Sequence, residues 1–209
     1  MAGAAGRGRA SIVARTMDLT RNRAWDTLTR YTQSEALRRH ALAVEASTLL
    51  YARRFGEDEE LWRVVGLLHD LDYERHPDPE TGHPRVAMRY LEQERSQPEE
   101  VIRAIASHAD YLDVPRETPL EKTLYAVDEL SGFIMACAYV RPTGIHGLTP
   151  TSVKKKMKTP AFAAAVNREE LREGTEQLGV DFDEHLAFVI AALESEAETL
   201  ELSGSGAHA

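Results

Sequence analysis

With 209 residues, of which 43% are apolar and 28% charged, the chain has the composition of one ordinary globular domain, and its formal net charge of −9 argues against general nucleic-acid binding. No apolar run approaches the roughly 20 residues that a membrane span requires, and the single cysteine, Cys137, excludes an intramolecular disulfide. We therefore expect a cytoplasmic protein with no membrane segment and with Cys137 packed in its core.

The two ends of the chain differ in composition from the rest. Residues 1–16 contain arginine, glycine and alanine but no acid, which indicates a disordered or extended leader, with an organelle-targeting peptide as the alternative. Residues 203–209 are small and indicate a disordered tail. We expect residues 17–202 to form a single helical domain.

Apolar residues recur at helical spacing nearly throughout, and no segment shows the alternation of a strand. Capping residues and breakers predict helices in this order: from Asp18 or Thr20 to about Tyr31, from Ser34 to Gly56, over residues 57–71, from Pro84, from Pro98 to His108, from Thr118 to about Tyr139, over residues 152–158, and three more through Phe162, Leu178 and Leu202. The fold class is all-α, and Pro/Gly-rich loops interrupt it near residues 72–82 and 142–150.

Histidine and aspartate side chains occupy the inward faces and the ends of these helices. An apolar helix runs directly into His69 and Asp70, and His40 lies at the edge of the apolar stripe of the second helix. In the sixth helix Asp128 falls inside the apolar stripe, whereas Glu129 is predicted to point away. An ionised carboxylate in an apolar setting requires a partner, a proton or a metal.

Two further histidines lie between the His-Asp pair and Asp128. His108 shares the apolar face of the fifth helix, and His83 lies at a junction between a loop and a helix. Considered alone, His40 could be a hydrogen-bonded core histidine, and Asp128 could belong to a structural ion pair. His83 alone could be a surface residue. Taken together they form a set of imidazoles and carboxylates, which suits one or two first-row divalent ions.

The order of these residues resembles the HD-domain superfamily of metal-dependent phosphohydrolases. That family has a His, then an adjacent His-Asp pair, then a distant Asp, all on a helical bundle, and the matching residues here are His40, His69, Asp70 and Asp128. The resemblance covers about residues 34–139, and residues 151–202 are then a C-terminal helical extension.

For members that bind two metals, the resemblance implies His40, His69 and Asp128 on one ion, His83 and His108 on the other, and Asp70 between them. The loop before His83 is short for that branch, so His76 is the alternative ligand, and a mononuclear site without either histidine also stays open. The sequence does not indicate which of Mn, Fe, Co, Ni, Zn and Mg would be the bound metal.

The resemblance further implies hydrolysis of a small phosphate ester, such as a nucleotide or another phosphorylated metabolite, by metal-activated water. Asp70, Asp72 and Glu74 are the catalytic candidates; Asp72 and Glu74 would move a proton or hold a water, unless they are solvated loop carboxylates. Four basic residues after the sixth helix are predicted to bind the substrate phosphate: Arg141, Lys154, Lys155 and Lys158. The alternative is that these residues form a solvated basic face, which is the more common role of a run of lysines.

Two other functions remain open at this point. One is a di-iron oxygenase of the same superfamily that acts on a phosphonate or a polyol, and the other is a non-catalytic signalling or binding module. The three remaining histidines, His146, His185 and His208, do not belong to this set of candidate ligands and are predicted to lie at the surface.

Overall fold

A computed structural model describes residues 20–94 and 97–204, so Asp18, His208, the predicted leader and the end of the predicted tail lie outside the described residues. Within this range the regular secondary structure is entirely helical, which confirms the all-α class. The helices are α1 (Arg21–Tyr31), α2 (Glu35–Phe55), α3 (Glu59–Leu68), α4 (Arg85–Glu94), α5 (Glu99–Ser107), α6 (Pro119–Tyr139), α7 (Pro150–Met157), α8 (Arg168–Leu178) and α9 (Phe182–Ser195), with a short 3₁₀ turn at Asp110–Leu112.

The helix ends follow from local sequence signals. The Ser34 hydroxyl accepts a backbone N–H in the first turn of α2, and Gly56 ends that helix in the left-handed conformation, with φ of 72°. At the start of α6, Thr118 and Glu121 form a reciprocal capping box, and Pro119 occupies the first helical position. The predicted limits of α2 and α6 are thereby confirmed.

Three predicted helices differ from the structure, and the last of them, predicted through Leu202, ends at Ser195. The third helix of the chain is shorter than residues 57–71, because the Asp58 carboxylate caps α3 at its start and the chain turns at His69. No helix forms around Phe162, where the prediction was wrong. There the Arg168 guanidinium donates to three loop carbonyls, those of Phe162, Ala163 and Val166, and so replaces N–H groups that a helix would supply.

Helices α2 and α6 form the centre of the bundle. Helix α2 packs against α3, α6 and α9, and α6 also packs against α8. Two glycines allow close approaches: a Cβ at Gly66 would lie 2.7 Å from the Cα of Glu45 in α2, and one at Gly174 would lie 2.8 Å from the Cα of Ala126 in α6. The predicted burial of Cys137 is confirmed. Among the described helices, none is long and apolar enough to cross a membrane.

One histidine is buried against expectation. His185 in α9 was predicted at the surface, but its exposed fraction is 0% because it faces the junction of α2 and α6. Its Nε2 lies 3.0 Å from the Ala126 carbonyl, which can only accept, so Nε2 carries the proton and Nδ1 accepts from the Tyr51 hydroxyl at 2.6 Å. Burial lowers the pKa of His185 to about 4.

This buried imidazole gives the protein a defined pH dependence. Since the pKa of His185 is lower in the folded chain than the ordinary 6.5, the unfolded chain binds the proton more tightly, and stability falls as pH drops from about 6.5 towards about 4. The full loss is about 3 kcal/mol, at about 1.4 kcal/mol per pKa unit. Urea unfolding from pH 7 to pH 4 should show this dependence weakened in His185→Leu; identical pH slopes for the two proteins would refute the assignment.

Candidate metal centre

Six histidine and aspartate side chains from or beside helices α2 to α6 converge at one place in the bundle. They divide into two groups, and the ligand atoms within each group lie within 4.8 Å of one another. The first group is His40, His69 and Asp128, and the second is Asp70, His83 and His108. The structure thus brings together all six side chains that the sequence singled out as candidate ligands.

The helices place these side chains in different ways. His40 projects from the second turn of α2 and Asp128 from the middle of α6, whereas His69 and His108 are the residues that terminate α3 and α5. His83 precedes α4, where it is joined to Pro84 by a cis peptide bond. His76, the alternative to His83, is exposed in the loop, and only its backbone carbonyl contacts His83.

Asp70 lies between the two groups and presents one oxygen to each. Its Oδ2 is 3.5 Å from Nε2 of His69 and 3.7 Å from Nε2 of His40. Its Oδ1 is 3.4 Å from Nε2 of His83 and 3.9 Å from Nε2 of His108. A carboxylate placed in this way can bridge two cations.

In the first group, Asp128 Oδ1 lies 2.9 Å from Nε2 of His40 and 3.3 Å from Nε2 of His69. The His69 Nδ1 donates to the Gly66 carbonyl at 2.8 Å, which leaves a lone pair on Nε2. That Nε2 is fully buried and has no hydrogen-bond partner. It faces carboxylate oxygens that also carry lone pairs, so the arrangement calls for a cation or a proton between them.

The second group shows the same pattern. His108 Nδ1 donates to the Ile105 carbonyl at 2.5 Å, and His83 Nδ1 donates to Asp72 at 2.8 Å. The two Nε2 atoms then meet at 3.1 Å, each with a lone pair. Histidines whose outer nitrogen is fixed by a carbonyl or carboxylate are typical of metal ligands. The donor set of both groups therefore fits divalent ions.

The pKa values of these groups reflect their mutual charges. Burial alone would raise the pKa of Asp128, but His69 and His40 hold it well below its usual range, and they also lower the pKa of Asp70. Although burial opposes it, the two carboxylates raise the pKa of His69 and His40. Burial lowers the pKa of His108 to about 4. Binding of a divalent ion to the first group would accordingly displace protons from imidazoles.

Asp72 and Glu74, predicted as catalytic residues, have other positions. Asp72 is buried; its Oδ1 accepts from His83, and its Oδ2 accepts the backbone N–H of Ala87 at 2.7 Å. The Glu74 carboxylate accepts the backbone N–H groups of Gln33 and Ser34 ahead of α2. Neither side chain lines the pocket described below, so Asp72 is placed to position His83, and Glu74 is placed to anchor the chain before α2.

Asp72→Asn is therefore expected to weaken metal binding at the second group about 10- to 100-fold, the usual effect of losing a carboxylate that orients a histidine ligand. Glu74→Gln is the matched control and should leave metal affinity unchanged. Metal titration followed by calorimetry measures both constants. Equal affinities in wild type and Asp72→Asn would contradict the positioning role.

A pocket of about 370 Å³ opens over the two groups. Besides candidate ligands, it is lined by residues that the sequence did not single out: Tyr73, Asp110, Tyr111, Tyr125, Glu129 and Glu170. The prediction that Glu129 points away was wrong. Consecutive helical residues differ by about 100° in direction, and the pocket is wide enough for both Asp128 and Glu129 to reach it. Burial, with the charges of Asp128 and Glu170, raises the pKa of Glu129 to about 7.

The four predicted phosphate-binding residues do not line this pocket. Arg141 follows Asp128 by about 20 Å along the helix direction at 1.5 Å per residue, and its guanidinium donates to Thr143 and to the His146 carbonyl. In α7, Lys154 pairs with Asp183 of α9, while Lys155 and Lys158 are exposed. The loop after α6 thus carries the basic residues away from the centre.

Comparisons with known proteins cover the part of the chain that holds this centre. Residues 37–132 match the model of the HD domain family. A stretch of 93 residues, 44% of the chain, is 34% identical to ribonuclease Y 2 of Levilactobacillus brevis and spans 17% of that protein's length. The comparison with solved structures gave no match. All six side chains of the two groups lie within the matched range, and residues 37–132 of the chain are therefore an HD domain, the domain of a superfamily of metal-dependent phosphohydrolases.

Proposed function

We propose that the protein is a hydrolase that cleaves the phosphate ester of a small metabolite with metal-activated water. The observation that carries this proposal is the position of Asp70, whose two oxygens face two separate groups of ligand atoms. Two cations a short distance apart, linked by a carboxylate, are a recurrent arrangement in enzymes that hydrolyse phosphate esters.

In this proposal His40, His69 and Asp128 hold one ion and His83 and His108 the other, with Asp70 shared. Divalent ions bound there would lower the pKa of a water molecule towards neutrality and offset the charge that develops on the phosphoryl group.

The protein itself contributes orientation. The Gly66 and Ile105 carbonyls and the Asp72 carboxylate fix three of the imidazoles with Nε2 towards the centre. The enclosing helices keep these nitrogens buried, which limits competition from bulk water.

A small substrate fits the pocket better than a nucleic acid does. The pocket volume is about 370 Å³, the lower part of the range for small-molecule sites. The relative from Levilactobacillus brevis is by name a ribonuclease, but the match covers only 17% of it. The chain has a net charge of −9, which disfavours binding to a phosphate backbone.

The test is turnover of a chromogenic phosphate monoester by protein stripped with a chelator and then reloaded with Mn²⁺, Fe²⁺, Co²⁺, Ni²⁺, Zn²⁺ or Mg²⁺, under nitrogen. Hydrolysis that requires added metal and is lost in Asp128→Ala supports the proposal. A parallel assay in air follows oxygen: oxygen consumption by the iron-loaded protein, with no hydrolysis under nitrogen, would replace the proposal with an oxygenase. Failure to retain any metal would favour a binding module.

A further inference from the structure

The wall of the pocket above the metal centre carries acidic side chains. Glu129 of α6 and Glu170 of α8 both line it, and we call this pair the acidic wall. Within the described part of the chain, neither glutamate makes an ion pair; the hydrogen bond found for the acidic wall comes from the neutral Asn167 amide to Glu170, at 2.6 Å. No lysine or arginine among the described residues lines the pocket.

One further acid lines the pocket outside the candidate ligands, and it is already neutralised. Asp110 accepts from Arg116 at 2.8 Å and from the Tyr125 hydroxyl at 2.9 Å. The Arg116 guanidinium is stacked 3.5 Å from the centre of the Tyr125 ring and also donates to the Ser107 carbonyl. Its positive charge therefore already has partners outside the pocket. Outside the metal centre, the acidic wall is therefore the part of the pocket whose carboxylates have no cationic partner among the described residues.

The floor of the pocket gives an indication of cation binding that is independent of the wall. The fully buried Nε2 of His69 lies beneath this floor without a hydrogen-bond partner and faces Asp70 and Asp128, which line the pocket. Tyr73 and Tyr111, which are 43% and 46% exposed, line the same pocket. The Arg85 guanidinium already lies 5.7 Å from the centre of the Tyr111 ring, so Tyr73 is the ring left to attract an organic ammonium group.

We infer that the substrate is zwitterionic: a small phosphate ester whose alcohol part carries a protonated or quaternary amine. The phosphoryl group would lie at the metal centre, and the ammonium group would lie against the acidic wall and Tyr73. This inference rests on the proposed function and adds the substrate class to it. Nucleoside polyphosphates are disfavoured, because their additional phosphates would face Glu129 and Glu170 without a cation.

The experiment compares choline phosphate with its neutral isostere, in which a quaternary carbon replaces the nitrogen and the shape is unchanged. The expected result is a kcat/KM at least about tenfold higher for choline phosphate, the usual worth of one charge-assisted contact. The preference should shrink in the double variant Glu129→Gln/Glu170→Gln. Glu169→Gln is the matched control, because it removes the same charge from the neighbouring exposed position of α8 and should keep the full preference.

Binding is measured separately, so that the inference about the substrate can be tested even if neither ester is hydrolysed. The two phosphonates in which a methylene replaces the ester oxygen are titrated calorimetrically under nitrogen into Mn²⁺-loaded protein. Preferential binding of the ammonium phosphonate without cleavage of either ester would overturn the hydrolase and support the acidic wall as an ammonium site. Equal binding of the charged and neutral phosphonates would overturn the inference even if both esters are hydrolysed.

A third ligand tests the rival use of the acidic wall. If the wall held a metal ion that accompanies a polyphosphate, adenosine triphosphate with Mg²⁺ would bind more tightly than choline phosphate, and Glu129→Gln/Glu170→Gln would remove that advantage. That outcome would overturn the inference. Weaker binding of adenosine triphosphate than of choline phosphate supports it.

Discussion

Replacing Asp70 by asparagine is expected to remove both metal ions and to lower hydrolysis by about a thousandfold or more, since several kcal/mol of transition-state stabilisation would be lost. Asp70 is the only one of the six side chains with an oxygen facing each group. Asparagine keeps the shape but offers one neutral oxygen in place of two that share a negative charge. Metal content per chain by plasma mass spectrometry, on protein purified without chelator, measures the first effect.

The controls are His83→Ala and His108→Ala, which remove ligand atoms from the second group alone. Each should lose one ion and retain the other, whereas Asp70→Asn should lose both. If Asp70→Asn keeps the metal content of the wild type, the carboxylate does not bridge, and the centre reduces to separate sites. Circular dichroism and thermal unfolding of each variant verify that the helices remain folded.

The largest loss of stability is expected for Gly66→Ala. The added Cβ would lie 2.7 Å from the Cα and 2.8 Å from the backbone nitrogen of Glu45, and backbone atoms in the middle of α2 cannot rotate away. Helices α2 and α3 must then separate, at a cost of about 1–3 kcal/mol for overpacking. Because α2 carries His40 and α3 ends at His69, the separation should also weaken metal binding in the first group.

Urea unfolding at constant m-value measures this loss. Gly132→Ala in α6 is the control, because the nearest atom to its Cβ would be His40 Nδ1 at 3.7 Å, an ordinary contact. That change should stabilise the protein by about 0.5–1 kcal/mol, as alanine does in a helix interior. A Gly66→Ala protein as stable as the wild type would show that α2 moves at no cost.

The sequence predicts those parts of the fold that depend on neighbouring residues. Ser34, Gly56 and Thr118 are capping residues, and their effect is felt within one helical turn. The inward positions of His40 and Asp128 likewise follow from the apolar stripe of a single helix. These signals, with the resemblance to the HD superfamily, suffice to find all six side chains of the centre.

Features that depend on contacts between distant segments cannot be predicted from neighbouring residues. The Arg168 side chain prevents a helix around Phe162 by binding its loop carbonyls, and the burial of His185 requires Tyr51, 134 positions earlier in the chain. Arg141 and the lysines follow Asp128 in sequence, yet the second half of α6 and the loop after it place them away from the pocket. Nearness in sequence was a poor guide to nearness in space there.

The pocket draws its metal centre and part of its wall from different segments of the chain. The six side chains of the centre lie within residues 37–132, but Glu170 belongs to α8, which reaches the pocket because Gly174 lets it pack closely on α6. Part of the substrate selectivity can therefore change without any change in the six candidate ligands. A chimera that exchanges the segment after α6 should retain its ions while losing the part of the acidic wall that Glu170 supplies.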